Sequence, residues 1–244
     1  MLTSAAAPAA GTGKRVFMLY KLYLKNGTQP DRVHEYFSKG LLPVLKKLHS
    51  GPKIYMQALV ASHMPQVATI VGFASLAEYV ALGAKLDADA GLLKAFEAWE
   101  SGSESPYESV ESSLLEAADY CPELDPETKP RRTPRVFELR SYHSPTMRQL
   151  KALHERFAGP EIRIFHRVGV HPILYASTLI GSNVPNLVYL TPFDSLAARE
   201  KAWDAFGADP EWIKVRKESI EKHGQVSSII QISLYRAMPY SPIL

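Results

Sequence analysis

Phe193-Asp194-Ser195-Leu196-Ala197 stands 120 positions after Phe73-Ala74-Ser75-Leu76-Ala77, and this pair of stretches decides the fold. Each is an aromatic residue closing an apolar run, then a serine placed to cap a helix that starts at the leucine. In the earlier copy Glu78 completes a capping box with Ser75. The offset holds in both directions. Val16-Phe17-x-Leu19 recurs as Val136-Phe137-x-Leu139, and His34-Glu35-x-Phe37 as His154-Glu155-x-Phe157. Tyr55 pairs with Tyr175, Pro65 with Pro185 and Asp89 with Asp209. Over residues 16–117 and 136–237, 22 of 102 positions are identical without a gap. Unrelated chains of ordinary composition would agree at roughly 6%. The chain is one module used twice.

The second copy shows the module best. Val136 to Tyr142 alternates, with Phe137 and Leu139 on one face and Glu138, Arg140 and Tyr142 on the other, which predicts a strand. Ser144-Pro145 is expected to cap and open a helix past Leu150, Leu153 and Phe157, interrupted at Gly159-Pro160 and ended by Gly169. Ile173–Ile180 and Leu187–Phe193 read as a hairpin. Ser195 and Asp209 then cap two helices, Gly224 closes the second, and Val226–Tyr235 is the last strand. The order β-α-β-β-α-β is a ferredoxin-like unit, with helices on one sheet face only. Two such units in tandem are expected to pack sheet to sheet as an intramolecular dimeric α/β barrel of the α+β class. The expected boundaries are a flexible tail or signal remnant over 1–14, a divergent first domain over 15–118, a proline-rich linker over 119–134 and a second domain over 135–244.

Composition bounds the function. In 244 residues the net charge is +3, and the one basic cluster, Lys129, Arg131, Arg132 and Arg135, is broken by Pro130 and Pro134. Such a stretch reads as a solvated linker, so no nucleic-acid partner is expected. Cys121 is the only cysteine, which excludes an internal disulfide. No apolar run reaches transmembrane length. The small residues of 1–13 resemble the end of an export signal, so the cytoplasm and an exported, periplasmic location both stay open. No Ser-His-Asp order, glycine-rich phosphate loop or HExxH occurs.

Phe137-Glu138-Leu139-Arg140-Ser141-Tyr142 resembles the opening strand of NIPSNAP-family domains. So does Phe193-Asp194-Ser195-Leu196-Ala197-Ala198-Arg199-Glu200-Lys201-Ala202-Trp203, continuing through Phe206 to Asp209-Pro210-Glu211-Trp212. The first copy follows only in outline, with Tyr20 at the place of Arg140, Gly83 at that of Trp203 and Leu92 at that of Trp212. The resemblance implies the dimeric α/β barrel superfamily, which includes small monooxygenases, haem-degrading enzymes and isomerases beside proteins without known activity. Fold analogy specifies the container rather than the chemistry.

The expected site is the sheet face away from the helices. In the second copy it would carry Glu138, Arg140 and Tyr142, joined by Gln231, Ser233 and Tyr235 from the last strand, with Tyr175 and Tyr189 between them. Facing Met18, Tyr20 and Leu22 of the first copy, these would suit a small hydrophobic or amphipathic molecule, such as an aromatic carbonyl compound. The plainer alternative is an Arg140–Glu138 pair that serves the fold. His154, repeated from His34, is a weak candidate for haem ligation, against a packing role. His166 and His171 match no metal spacing. Trp203, Phe206 and Trp212 at helical spacing read as core.

Three functions follow as expectations. The first is a barrel that binds a small hydrophobic or amphipathic ligand, with monooxygenase- or isomerase-like chemistry as an extension. The others are a non-catalytic interaction module and, more weakly, a haem-binding protein. No catalytic residue, metal or cofactor is assigned, and homo-oligomer formation is left open.

Overall fold

A computed structural model describes residues 14–124 and 133–244. The tail or signal remnant expected over 1–14, Lys14 apart, and residues 125–132 of the expected linker lie outside the described residues. The first half runs β1 (Val16–Tyr23), α1 (Gln29–Glu35), a π-helical turn (Tyr36–Leu41), α2 (Leu42–Leu48), β2 (Lys53–Val60), β3 (Gln66–Phe73), α3 (Leu76–Asp87), α4 (Ala90–Glu100) and β4 (Ser109–Ala117). The second half repeats it as β5 (Val136–His143), α5 (Met147–Arg156), a π-helical turn (Phe157–Glu161), α6 (Ile162–Arg167), β6 (Leu174–Ile180), β7 (Asn186–Phe193), α7 (Leu196–Ala208), α8 (Pro210–His223) and β8 (Ile229–Ala237).

The caps hold these elements where the sequence places them, with one exception. Ser75 Oγ accepts from the Glu78 amide and Ser195 Oγ from that of Ala198, while Asp89 and Asp209 cap α4 and α8. Gly169 (φ +89°) and Gly224 (φ +72°) follow α6 and α8 in left-handed conformations. The exception is Ser144. Its buried hydroxyl donates to the Val226 carbonyl at 2.7 Å, and Thr146 caps α5 instead.

Among the described residues eight antiparallel strands close into a barrel in the order β1-β3-β2-β8-β5-β7-β6-β4. Each module supplies four strands, and the seams are β2 with β8 and β4 with β6. The two-module α/β barrel expected from the repeat is therefore present.

The cross-strand register corrects the assignment of faces. Phe137 lies opposite Tyr235, Leu139 opposite Ser233 and Ser141 opposite Gln231. Paired residues share a face, so the buried Phe137, Leu139 and Tyr235 point into the barrel, and Gln231 takes the same face at an exposed part of β8. Glu138, Arg140 and Tyr142 point outward, beneath the helices. The expected chamber between the two sheets is filled by buried Phe17, Leu19, Ile54, Met56, Ile70 and Phe137, among others. The reason is geometric: an eight-stranded barrel is just wide enough inside for side chains to fill it, so its interior selects apolar ones.

A second correction concerns residues 118–124, expected to belong almost wholly to the linker. After β4 the chain crosses to the second module. The Ala118 amide donates to the Tyr175 carbonyl, and the Tyr175 amide donates to Cys121 Sγ at 3.3 Å. Tyr120 Oη meets His154 Nδ1 at 2.7 Å. After β8 the same path leads back to the first module. The Met238 amide donates to the Tyr55 carbonyl, the Tyr55 amide to Ser241 Oγ at 3.0 Å, and Tyr240 Oη meets His34 Nδ1 at 2.8 Å. The repeat thus extends to residue 124 and residue 244, and each module is clasped by the other's tail.

Candidate functional site

Between the sheet and the helices of the first module lies a cavity of about 620 Å³, within the size range of small-molecule sites. Its floor is Tyr20 and Leu22 of β1, Tyr55 of β2, Thr69 and Val71 of β3, and Val110 of β4. The π-helical turn contributes Tyr36, Phe37 and Leu41, α2 Leu45, α3 Tyr79, Val80, Leu82, Gly83 and Leu86, and α4 Phe96 and Trp99. The turn reaches this position because Gly40 lets it approach α4 closely; a Cβ there would stand 3.0 Å from that of Ala95. Val80, Phe96 and Val110 are 64%, 37% and 43% exposed, so the cavity opens to solvent beside α3, α4 and β4.

The cavity divides the apolar layer it sits in. One buried cluster gathers around Leu22, Val33, Phe37 and Trp99, a second around Val16, Met18, Leu45 and Leu82, with Tyr20 and Leu41 touching both. In the second module the corresponding layer is continuous with the barrel core. The difference comes from a few positions 120 apart. Thr69 replaces Tyr189, Leu45 replaces Phe165, Leu86 replaces Phe206, and Gly83 replaces Trp203. Gly83 lies inside α3, where glycine weakens a helix by about 1 kcal/mol relative to alanine. A Cβ at this position would meet nothing within 4 Å, so no close packing requires the glycine.

The lining is aromatic and uncharged. Tyr36 and Trp99 are stacked with centroids 4.4 Å apart and planes 5° from parallel. Burial raises the Tyr20 hydroxyl far above its usual range, helped by the neighbouring Tyr79 hydroxyl. Burial also raises Tyr55, and pushes Tyr36 up to about 12. These phenols stay protonated at physiological pH and act as hydrogen-bonding groups rather than as bases. Tyr55 Oη and Trp99 Nε1 are buried in the wall without a hydrogen-bond partner.

The residues expected to form the site are split by the fold. Glu138, Arg140, Tyr142 and Tyr189 come together in the second module, with Tyr175 stacked beside Tyr189. There they fill the space that is open in the first. Glu138 is fully buried and accepts from both Arg140 and Arg199, and from Trp203 Nε1 at 3.3 Å. Arg140 Nη1 donates to Tyr142 Oη, and Tyr189 Oη donates to the same oxygen at 2.7 Å. Every charged group has a counter-charge, as a buried ion cluster requires. Gln231 and Tyr235 lie on the other face of the sheet: the buried Tyr235 Oη accepts from Gln66, and Gln231, exposed on β8, accepts from Asn183.

His154 has both ring nitrogens engaged, Nδ1 by Tyr120 and Nε2 by Ser177 at 2.8 Å, which leaves neither for haem in this arrangement. Among the described residues no cluster of three or more His, Cys, Asp or Glu side chains could hold a metal ion. No helix among them is long and apolar enough to cross a membrane. The cavity is marked in the sequence only by Tyr20 for Arg140 and Gly83 for Trp203. These marks are losses of larger side chains, and that loss opens a space.

No curated protein matches the chain. Solved structures share its fold. A candidate monooxygenase from Fusobacterium nucleatum aligns with TM-score 0.60 and 9% identity, covering 93% of this chain and 94% of its own. An anthrone oxidase-like protein aligns with TM-score 0.56 and 15% identity, over 93% and 92%. A mutant chlorite dismutase from Candidatus Nitrospira defluvii aligns with TM-score 0.53 and 11% identity, over 93% and 92%. At these identities the likeness is one of fold. The sequence model of the NIPSNAP family matches residues 137–242, from the first residues of β5 to the tail beyond β8. The chain is thus a two-module α/β barrel whose second module matches the NIPSNAP family model.

Proposed function

We propose that this NIPSNAP-type barrel binds a small hydrophobic or amphipathic molecule in the first module, between β1–β4 and α2–α4. The observation that carries the reading is a helix-interior glycine, Gly83, that no packing contact demands and that borders an open apolar cavity. A protein that needed only stability would fill that space, since each buried methylene group adds about 0.8 kcal/mol. The lining residues favour binding over acid–base chemistry, because their hydroxyls are held protonated. Monooxygenase-like turnover, the theme of some proteins with this fold, would have to draw its reactivity from the bound molecule.

The neutral fluorophore N-phenyl-1-naphthylamine tests the reading. The wild-type chain is expected to give saturable enhancement with one site per chain, and Gly83→Trp to abolish it while the melting transition persists. No enhancement in the wild type, or equal enhancement in both proteins, overturns the proposal.

A further inference from the structure

The second module shows what shape the empty space accepts. The indole of Trp203 is enclosed by Arg140, whose Cζ lies 3.7 Å from its ring centroid, by Phe165 and Phe206 at 5.5 and 5.7 Å between centroids, and by Phe193 at 6.4 Å. Subtracting 120 gives Tyr20, Leu45, Leu86 and Phe73 around Gly83. Of these, Tyr20, Leu45, Gly83 and Leu86 line the cavity. The cavity therefore includes the Trp203 position emptied of its ring. Its walls are widened further, because Leu45 and Leu86 are smaller than the phenylalanines they replace.

The charges of the second module are absent from this place. Met18 stands for Glu138, Tyr20 for Arg140 and Tyr79 for Arg199. An ion cluster has been replaced by a thioether and two neighbouring phenols. A charged ligand would find no counter-ion and would bear the full desolvation penalty. An uncharged oxygen would find donors in Tyr20 and Tyr79, and in the unpartnered hydroxyl of Tyr55.

We infer that the ligand is an uncharged, planar, fused-ring aromatic molecule bearing a hydroxyl or carbonyl oxygen. Its ring occupies the Trp203-equivalent space beside Gly83 and stacks on Tyr20. This rests on the cavity being a binding site, and it adds a chemical class and an orientation. Planarity follows from the ring the fold already accommodates in the second module, and neutrality from the uncharged lining.

Competition against N-phenyl-1-naphthylamine tests the class with four probes: 1-naphthol, naphthalene, 1-naphthoate and 1-decanol. Hydrophobicity alone would place 1-decanol first and naphthalene ahead of 1-naphthol. The expected order is different. 1-Naphthol should compete about tenfold more tightly than naphthalene, as one added hydrogen bond allows, with 1-decanol weaker than both and 1-naphthoate inactive. Tyr20→Phe or Tyr55→Phe should bring 1-naphthol down to the naphthalene level while naphthalene itself is unchanged, which also shows that the cavity is intact. A ranking by hydrophobicity, competition by 1-naphthoate equal to that of 1-naphthol, or an undiminished 1-naphthol advantage in both variants overturns the inference. If the wild type does not bind the fluorophore at all, the cavity reading fails first; if it binds but the ranking is wrong, only the ligand class falls.

Discussion

Arg140 and Trp203 are held together by one carboxylate: the guanidinium carbon lies 3.7 Å from the indole centroid, and both side chains donate to Glu138. This arrangement closes the second module. Arg140→Ala leaves Glu138 buried with Arg199 as its remaining ion partner, and the expected loss is about 3 kcal/mol in urea unfolding. Fluorophore binding in the first module should stay at the wild-type level. A variant that kept its stability and lost binding would return the site to the second module.

Gly83→Trp should act in the opposite direction on stability. The new indole enters open apolar space and removes a helix-interior glycine, terms worth about 1.5–3 kcal/mol and about 1 kcal/mol. The melting temperature is expected to rise by roughly 5–15 °C, at about 2–4 °C per kcal/mol for chains of this size. A fall would show that the space cannot admit a ring.

Glu161 gives a pH signature. Burial pushes its carboxyl up to about 7 despite the opposing pull of Arg156, whose Nε donates to it at 2.7 Å. The folded state therefore holds this proton more tightly than the unfolded chain, where a glutamate titrates at about 4.3. The resulting stabilisation is present in full below pH 4.3 and is lost as the pH rises to about 7. Glu161→Gln should remove this dependence, so the stability difference between variant and wild type should shift in favour of the variant across that window. A constant difference from pH 4 to pH 7.5 would refute the assignment.

The two tails should contribute alike. Tyr120→Phe and Tyr240→Phe each delete one hydrogen bond to a partly buried histidine and should lower stability by about 1 kcal/mol. The double variant should show the sum, because the two sites share no partner. Burial lowers the pKa of both His34 and His154. Their contribution is thus present above about 6.5, the unfolded value, and is lost as the pH falls through the depressed folded values. Replacing both histidines with asparagine should flatten that acid limb in thermal unfolding.

The architecture was legible because the residues that punctuate it recur at one spacing: Ser75 and Ser195, Asp89 and Asp209, Phe73 and Phe193. The face of β5 was not. Alternation of Phe137 and Leu139 with Glu138 and Arg140 shows that two sides differ, but only closure of the barrel decides which is inside, and one step of register inverts the answer. Gln231 and Tyr235 share one face, the first exposed and the second buried in the barrel, whereas Glu138 and Arg140 lie on the opposite face beneath the helices. The cavity was hidden for another reason. Thr69, Leu45 and Gly83 matter through volume they lack, and a missing ring leaves no motif. Tyr120 and Tyr240 escaped because prolines beside Tyr120 suggested a linker.

The reciprocal tails have a consequence for how such a protein can specialise. In a symmetric dimer of identical subunits every substitution appears in both halves, so one half cannot keep a tryptophan where the other keeps a glycine. Joining the halves in one chain removes that constraint. The tails keep the two halves tied together while their interiors diverge, so one can hold a tryptophan and an ion cluster where the other holds an open cavity.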